Sequence, residues 1–275
     1  NIIKKDDKHY TIETNDGIII NIPISSIIKL STLETSNRNG MIFRADPNKS
    51  IYLFAPSSFP IEHNKAYCRN FCLFFPSYNR GFTDNFGLQF GAFIFPGLEN
   101  IPVVSTLKYS LPNLLTMRDD SYDDGKEKKF EKIDKIIENI SKFISFATGI
   151  IYASIPVIAF EDRISFGSAF GTLTIGNKFN HLSTSICFGF VNNEFSKKPI
   201  YNLAGNYRLS NTIAIVGELW RFPSLEIVGS PIALSMRFIG RKFAVDLGAL
   251  STLNILREIV LPIPLVNITY HFQHN

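Results

Sequence analysis

Between His181 and Val191 the side chains alternate strictly in size: Ser183, Ser185, Cys187 and Gly189 take turns with Leu182, Thr184, Ile186, Phe188 and Phe190. Successive side chains of a strand point to opposite faces, so this run has one bulky, largely apolar face and one face of small polar groups. In a water-soluble sheet the apolar face lies in a core and the other is solvated, and a solvated face carries Lys and Glu more often than Gly and Ser. A face of Ser, Cys and Gly suits the inside of a narrow cylinder, which leaves the bulky face for lipid. Gly87, Gln89 and Gly91 repeat the small face earlier in the chain.

The hairpin over 231–250 is sharper. Ile232, Leu234, Met236 and Phe238 share a face, as do Phe243, Val245 and Leu247, while Ala233, Ser235, Arg237, Ala244, Asp246 and Gly248 take the other. With Arg241-Lys242 as the turn, Arg237 falls across from Asp246 and an ion pair points inward. In the last such run Val266, Ile268, Tyr270 and Phe272 lie opposite Leu265, Asn267, Thr269 and His271.

About twelve stretches of this kind, bounded by Asn, Gly, Pro, Ser and charged turns, fill the chain from Ser50 onward. They fall near 50–55, 66–76, 86–95, 102–111, 143–155, 164–176, 182–191, 199–209, 212–221, 231–240, 243–250 and 264–272. Lipid tolerates a sheet only when its edges are closed. The fold class expected is therefore all-β: an antiparallel transmembrane β-barrel over 50–272, with both termini on the periplasmic side of an outer membrane. Short turns at Tyr78–Asn85, Asn177–His181, Ser210–Asn211 and Arg241–Lys242 share that side. No connecting loop is long enough to suggest a plug.

Two segments stand outside the rhythm. Residues 1–31 hold a hairpin with its turn at Asn15-Asp16-Gly17, followed by a short strand over Ser25–Leu30. This is too little to bury a core, so 1–31 reads as a small SH3- or Sm-like periplasmic β module incomplete at its start, joined by a linker over 32–49. Within an insertion at 112–142, Phe130, Ile133, Ile136, Ile137 and Ile140 recur at helical spacing in a Lys- and Glu-rich run. They mark a periplasmic amphipathic helix that packs under the barrel or on the N-terminal module, docks a partner, or binds the membrane surface through its lysines.

Other function classes find little support. No uninterrupted apolar run reaches the ~18 residues that a spanning helix needs. A net charge of +4 with the lysines collected mainly in the insertion is no nucleic-acid footprint. Cys68, Cys72 and Cys187 have neither disulfide-framework nor metal-site spacing, the five histidines are scattered, and no cofactor motif occurs. Asn1 follows no visible export signal, as removal of a leader would leave it. His181 and Ser183, two apart on one face, are the one catalytic-looking pair, of the sort a lipid hydrolase would use. The expected topology puts Ser183 in the lumen, away from lipid, so no catalytic residue is assigned and a non-enzymatic chain is expected.

The better-supported constellation is a set of inward charges: Lys108, Arg208, Glu218, Arg237 and Asp246. Charges inside a barrel persist only if paired or wet, so these five either line a narrow solute path or lock the lumen shut.

Several strings taken together are familiar. Ile22-Pro23-Ile24-Ser25-Ser26-Ile27, Tyr52-Leu53-Phe54-Ala55-Pro56, Phe74-Phe75-Pro76-Ser77 leading to Gly81-Phe82-Thr83-Asp84-Asn85, the Arg237-Phe238 and Asp246-Leu247-Gly248 hairpin, and Pro262-Ile263-Pro264-Leu265 closing on Tyr270-His271-Phe272 resemble uncharacterised outer-membrane barrel proteins of the Bacteroidetes group. The resemblance covers most of 8–272 and implies place and fold, with no activity to carry over. It departs at the end, where Gln273-His274-Asn275 follow the terminal aromatic, and at the long insertion. The expected role is a structural or accessory component of an outer-membrane assembly. Its partners would be the lipid bilayer and other outer-membrane or periplasmic proteins. The alternative is a narrow small-solute channel.

Overall fold

The computed structural model describes residues 2–5, 8–13, 18–27, 35–38, 41–44, 46–95, 101–112, 143–156, 163–192, 194–223, 230–252 and 262–272. The chain divides into two compact units, Asn1–Ala45 and Asp46–Asn275.

In the first unit β1 (Ile2–Lys5), β2 (His9–Glu13) and β3 (Ile19–Pro23) form an antiparallel three-stranded sheet. The expected hairpin is there, with Tyr10 opposite Ile22 and Ile12 opposite Ile20. The short strand expected over Ser25–Leu30 begins instead as a 3-10 turn, Ile24–Ser26, because Pro23 ends the ladder and the Ile27 amide turns back to the Ile24 carbonyl. The stretch read as a linker also contains structure: β4 (Thr35–Arg38) and β5 (Met41–Arg44) make a second hairpin.

The second unit is a closed cylinder. Its wall strands are β6 (Ala66–Phe71), β7 (Phe75–Gly81), β8 (Phe86–Ala92), β9 (Val103–Pro112), β10 (Ile144–Pro156), β11 (Arg163–Gly176), β12 (His181–Val191), β14 (Ile200–Arg208), β15 (Ile213–Arg221), β16 (Pro231–Ile239), β17 (Phe243–Thr252) and β18 (Ile263–Phe272). The two-residue β13 (Glu194–Phe195) only extends one hairpin, so the 13-stranded sheet has a wall of twelve. Each wall strand pairs with its neighbour in sequence, β18 returns to β6, and no edge is left.

The faces sort as the alternation requires. Leu182, Ile186 and Phe188 are among the exposed large side chains, and so are Ile268, Leu234 and Phe238; Ser183, Ser185, Cys187, Asn267 and Ser235 are buried. Bulky apolar groups therefore cover the outside of the cylinder and small polar ones its inside. Arg237 pairs in register with Asp246, as the hairpin pattern demands.

Twelve strands arise by a different route from the one expected. Residues 50–55 are not a wall strand. The expected stretch 66–76 holds two strands instead, joined at Cys72–Phe74, where Cys72 and Leu73 have φ of 49° and 65°. Two successive positive φ values are the geometry of a tight primed hairpin turn, here built without the Asn or Gly that usually signals one. The insertion helix with Phe130, Ile133, Ile136, Ile137 and Ile140 lies outside the described residues.

Candidate functional site

Residues 46–62, which precede β6, lie inside the cylinder and form a plug. Tyr52, Leu53, Ala55, Ser57 and Ser58 are wholly inaccessible, and Asp46, Asn48 and Ser50 are buried. The segment runs in from the end that carries the short turns, folds over at Tyr52–Ala55, and returns to the same end. The Tyr52 amide bonds the Ala55 carbonyl at 2.9 Å, and Ile51 bridges Pro56. Coming back, the Asn64 amide reaches the Gly81 carbonyl at 3.2 Å, beside the turn between β7 and β8.

A backbone that crosses a lumen outside any ladder leaves its peptide groups unpaired unless side chains meet them. The inward charges do this. Glu218 Oε1 accepts the three consecutive amides of Leu53, Phe54 and Ala55, at 2.6, 2.8 and 2.9 Å. Its other oxygen accepts the Trp220 indole at 2.9 Å. Lys108 Nζ donates to the carbonyls of Ser50, Ser57 and Phe59, at 2.9, 3.2 and 2.8 Å. Arg69 donates to the Leu53 carbonyl and Arg237 to that of Tyr52. Apolar contact completes the fit, with Leu53 and Ala55 packed among Ala204, Val216, Ala233 and Leu265.

Arg237 is also the anchor. It donates to Asp246 at 2.6 Å from across the hairpin and to Asp46 of the plug at 3.3 Å, with all three side chains at most 1% exposed. Asn48 ties the plug to Thr269 and His271. Ser183 bonds the Tyr52 hydroxyl and Thr174, both at 2.6 Å. The His181 ring sits between those of Tyr52 and Phe59 and bonds the Asn177 carbonyl. The catalytic-looking pair is thus made of two wall groups that hold the plug.

Four of the five inward charges meet at the plug or its anchor. Arg208 is apart; its guanidinium bonds the Ser210 and Asn211 carbonyls and closes the turn after β14. Asp46, Asn48, Tyr52 and Arg69 were missed. The expectation that no plug exists is corrected with them: Ile51–Ala55 is a continuous apolar run, not an alternating one, and Pro56 and Pro60 follow it. Prolines so close to an unalternating run argue against a central strand, and that was the available signal.

A second contact closes the plug at its exit. Glu62 bridges Lys49, on the inward leg, and Lys65, next to the first wall strand. Its backbone passes so close to the wall that a Cβ on Gly81 would strike the Ile61 and Glu62 carbonyls. Partial burial alone would raise the Glu62 carboxyl, but hydrogen bonds and attraction from the two lysines outweigh it and hold the group at about 2. A carboxyl lowered on folding stabilises fully above its ordinary value near 4.5, and that contribution is lost as pH falls toward 2. The midpoint of thermal unfolding should therefore fall more steeply over that window in the native chain than in Glu62→Gln. Parallel curves would remove Glu62 from the clasp.

No family model matches the chain, and no curated protein matches it either. Among solved structures, the KdgM porin in complex with disordered oligogalacturonate is similar over 76% of this chain and 98% of that one, with 9% sequence identity and a TM-score of 0.44.

Proposed function

We propose that this chain is an integral outer-membrane β-barrel held shut by its own plug, and that it serves as a membrane anchor for the N-terminal unit and for partners in an outer-membrane assembly. The apolar outer face supports the membrane location, because exposed Leu, Ile and Phe around a closed cylinder suit lipid and would aggregate in water. The observation that carries the closed state is the use made of the lumen charges: Glu218, Lys108, Arg69 and Arg237 are committed to the plug backbone. Charges lining an ion path would face water instead. The insertion residues Phe130, Ile133, Ile136, Ile137 and Ile140 are the proposed docking element on the short-turn side.

One observation favours the narrow channel. The plug's turn reaches Glu218, midway along β15, so the rest of the lumen is not filled by it. Reconstitution into planar bilayers separates the readings. The anchor reading expects a silent membrane from protein whose boiled and unboiled forms migrate differently on a gel, the mark of an intact barrel. Steady unitary currents from that same protein would establish the channel and end the anchor reading.

A further inference from the structure

The outer face of the cylinder is not bulky everywhere. Across four neighbouring strands, Leu182 of β12 pairs with Gly205 of β14, Gly205 with Gly217 of β15, and Gly217 with Leu234 of β16. All four point outward, since Ser183, Ala204, Val216 and Ala233 beside them are buried. Leu182 and Leu234 stand 52% and 60% exposed, whereas the two glycines between them have no side chain to raise the surface. Along the strands the hollow is closed by Leu203 and Leu219 at one end and by Tyr207 and Ile215 at the other, each pair in register. The result is a groove of about 680 Å³ with apolar walls. Glu218 and Asn206, also beside it, alternate with the glycines, point into the cylinder and are at most 3% exposed.

We propose that this groove seats an acyl chain of an anionic phospholipid, with the headgroup held by Lys178, Arg241 and Lys242 at the short-turn end. The inference rests on the membrane-barrel reading and names one lipid partner of that wall.

Packing decides what fills a hollow in hydrocarbon, because the tails around a barrel are as apolar as leucine. Left unfilled, it forfeits the contacts of its own walls. A second copy is a poor match: a two-fold contact sets the same patch against itself, and two facing hollows enclose a void. A flexible chain can follow the groove. Charge then selects the head. The turns at 177–180, 209–212 and 240–242 lie side by side at the short-turn end of the groove. The Arg208 amide bonds Asn180 Oδ1 at 2.8 Å, and the Ile239 amide bonds the Thr212 carbonyl at 2.7 Å. These turns contain Lys178, Arg241 and Lys242 and no acidic residue, whereas the turn at 82–85, further round the wall, contains Asp84. A basic rim of this kind attracts anionic headgroups. At ordinary strand rise and tilt, the run from Leu209 to Gly205 spans about 10 Å of membrane depth. A chain whose phosphate sits among the three cations therefore passes the exposed Tyr207 ring and lies over the glycines.

The full chain is reconstituted in vesicles of equal parts dioleoyl phosphatidylglycerol and dioleoyl phosphatidylcholine, extracted in mild detergent and weighed by native mass spectrometry. A single phosphatidylglycerol should stay bound, in preference to the zwitterionic lipid with the same chains. Replacing Lys178, Arg241 and Lys242 by Gln should remove that preference, at about fivefold for each charge. Gly217→Leu fills the groove from the lipid side, where a Cβ meets Leu234 Cδ1 at an ordinary 3.6 Å, and should lower the retained lipid several-fold. Gly205→Leu serves if that variant forms no heat-modifiable barrel. Arg80→Gln, exposed on β7 away from the groove, should change neither quantity. A preference that survives the filled groove would reduce the site to a basic rim and overturn the proposal. Equal retention of the two lipids by the native chain would do the same, and so would a dimer without lipid, which gives the groove to a second copy. Failure of the chain to enter the vesicles would strike the membrane reading itself, whereas the lipid count on inserted barrels decides the groove.

Discussion

Replacing residues 47–60 with a short Gly-Ser linker should turn a silent barrel into a conducting one. Both legs of the plug start and finish at the short-turn end, as Asn48 bonds to His271 and Asn64 bonds to Gly81 place them, so the ends can be rejoined without straining the wall. What remains lining the emptied lumen is unbalanced. Arg69, Lys108, Arg208 and Arg237 are basic, against Asp46, Glu218 and Asp246, an excess of one positive charge. A water-filled lumen with that excess concentrates anions, so under a potassium chloride gradient the reversal potential should carry the sign of chloride selectivity. Lys108→Gln combined with Glu218→Gln keeps the plug but removes its two multidentate partners, and it should give brief, flickering openings. If the deletion variant keeps the gel shift of a folded barrel and still passes no current, something other than the plug closes the lumen.

Why the wall was legible and the plug was not comes down to the range over which side chains act. Ser183, Ser185 and Cys187 against Leu182, Ile186 and Phe188 state their faces within one strand, and a register follows from a two-residue turn, as for Arg237 and Asp246. Local periodicity contains the partner. The plug has none of this. Tyr52 meets Ser183 across 131 positions, and Leu53 meets Glu218 across 165. A run such as Ile51–Ala55 is equally apolar whether it faces lipid or lies among Ala204, Val216 and Leu265. The inward charges were legible as residues, because a barrel cannot leave them on its lipid face. Their use was not, since a carboxylate that accepts three backbone amides looks the same in sequence as one that lines a pore. The turn at Cys72–Leu73 was hidden for a third reason: its positive φ values are imposed by strand pairing on residues that do not favour them.

Arg237→Met should be the most destabilising single substitution of the wall, at about 3–5 kcal/mol, the usual cost of leaving a buried charge without its partner. The guanidinium serves Asp246 on the neighbouring strand, Asp46 of the plug and the Tyr52 carbonyl at once. Methionine fills much of the same space, so little of the loss would come from a cavity. The loss comes from two carboxylates facing each other with, among the described residues, the Asn267 amide and the Asn48 backbone amide as their remaining donors. Asp246→Asn should cost less, because its oxygen still accepts from Arg237 and Asp46 still balances the charge. Combining Arg237→Met with Asp246→Asn should recover part of the deficit, giving a coupling of about 1–3 kcal/mol in a double-mutant cycle. Urea unfolding in lipid vesicles, followed by loss of the heat-resistant gel band, measures each arm. An Arg237→Met cost below about 1 kcal/mol, with the two changes simply additive, would mean that water rather than Arg237 balances these acids. The plug would then need another anchor.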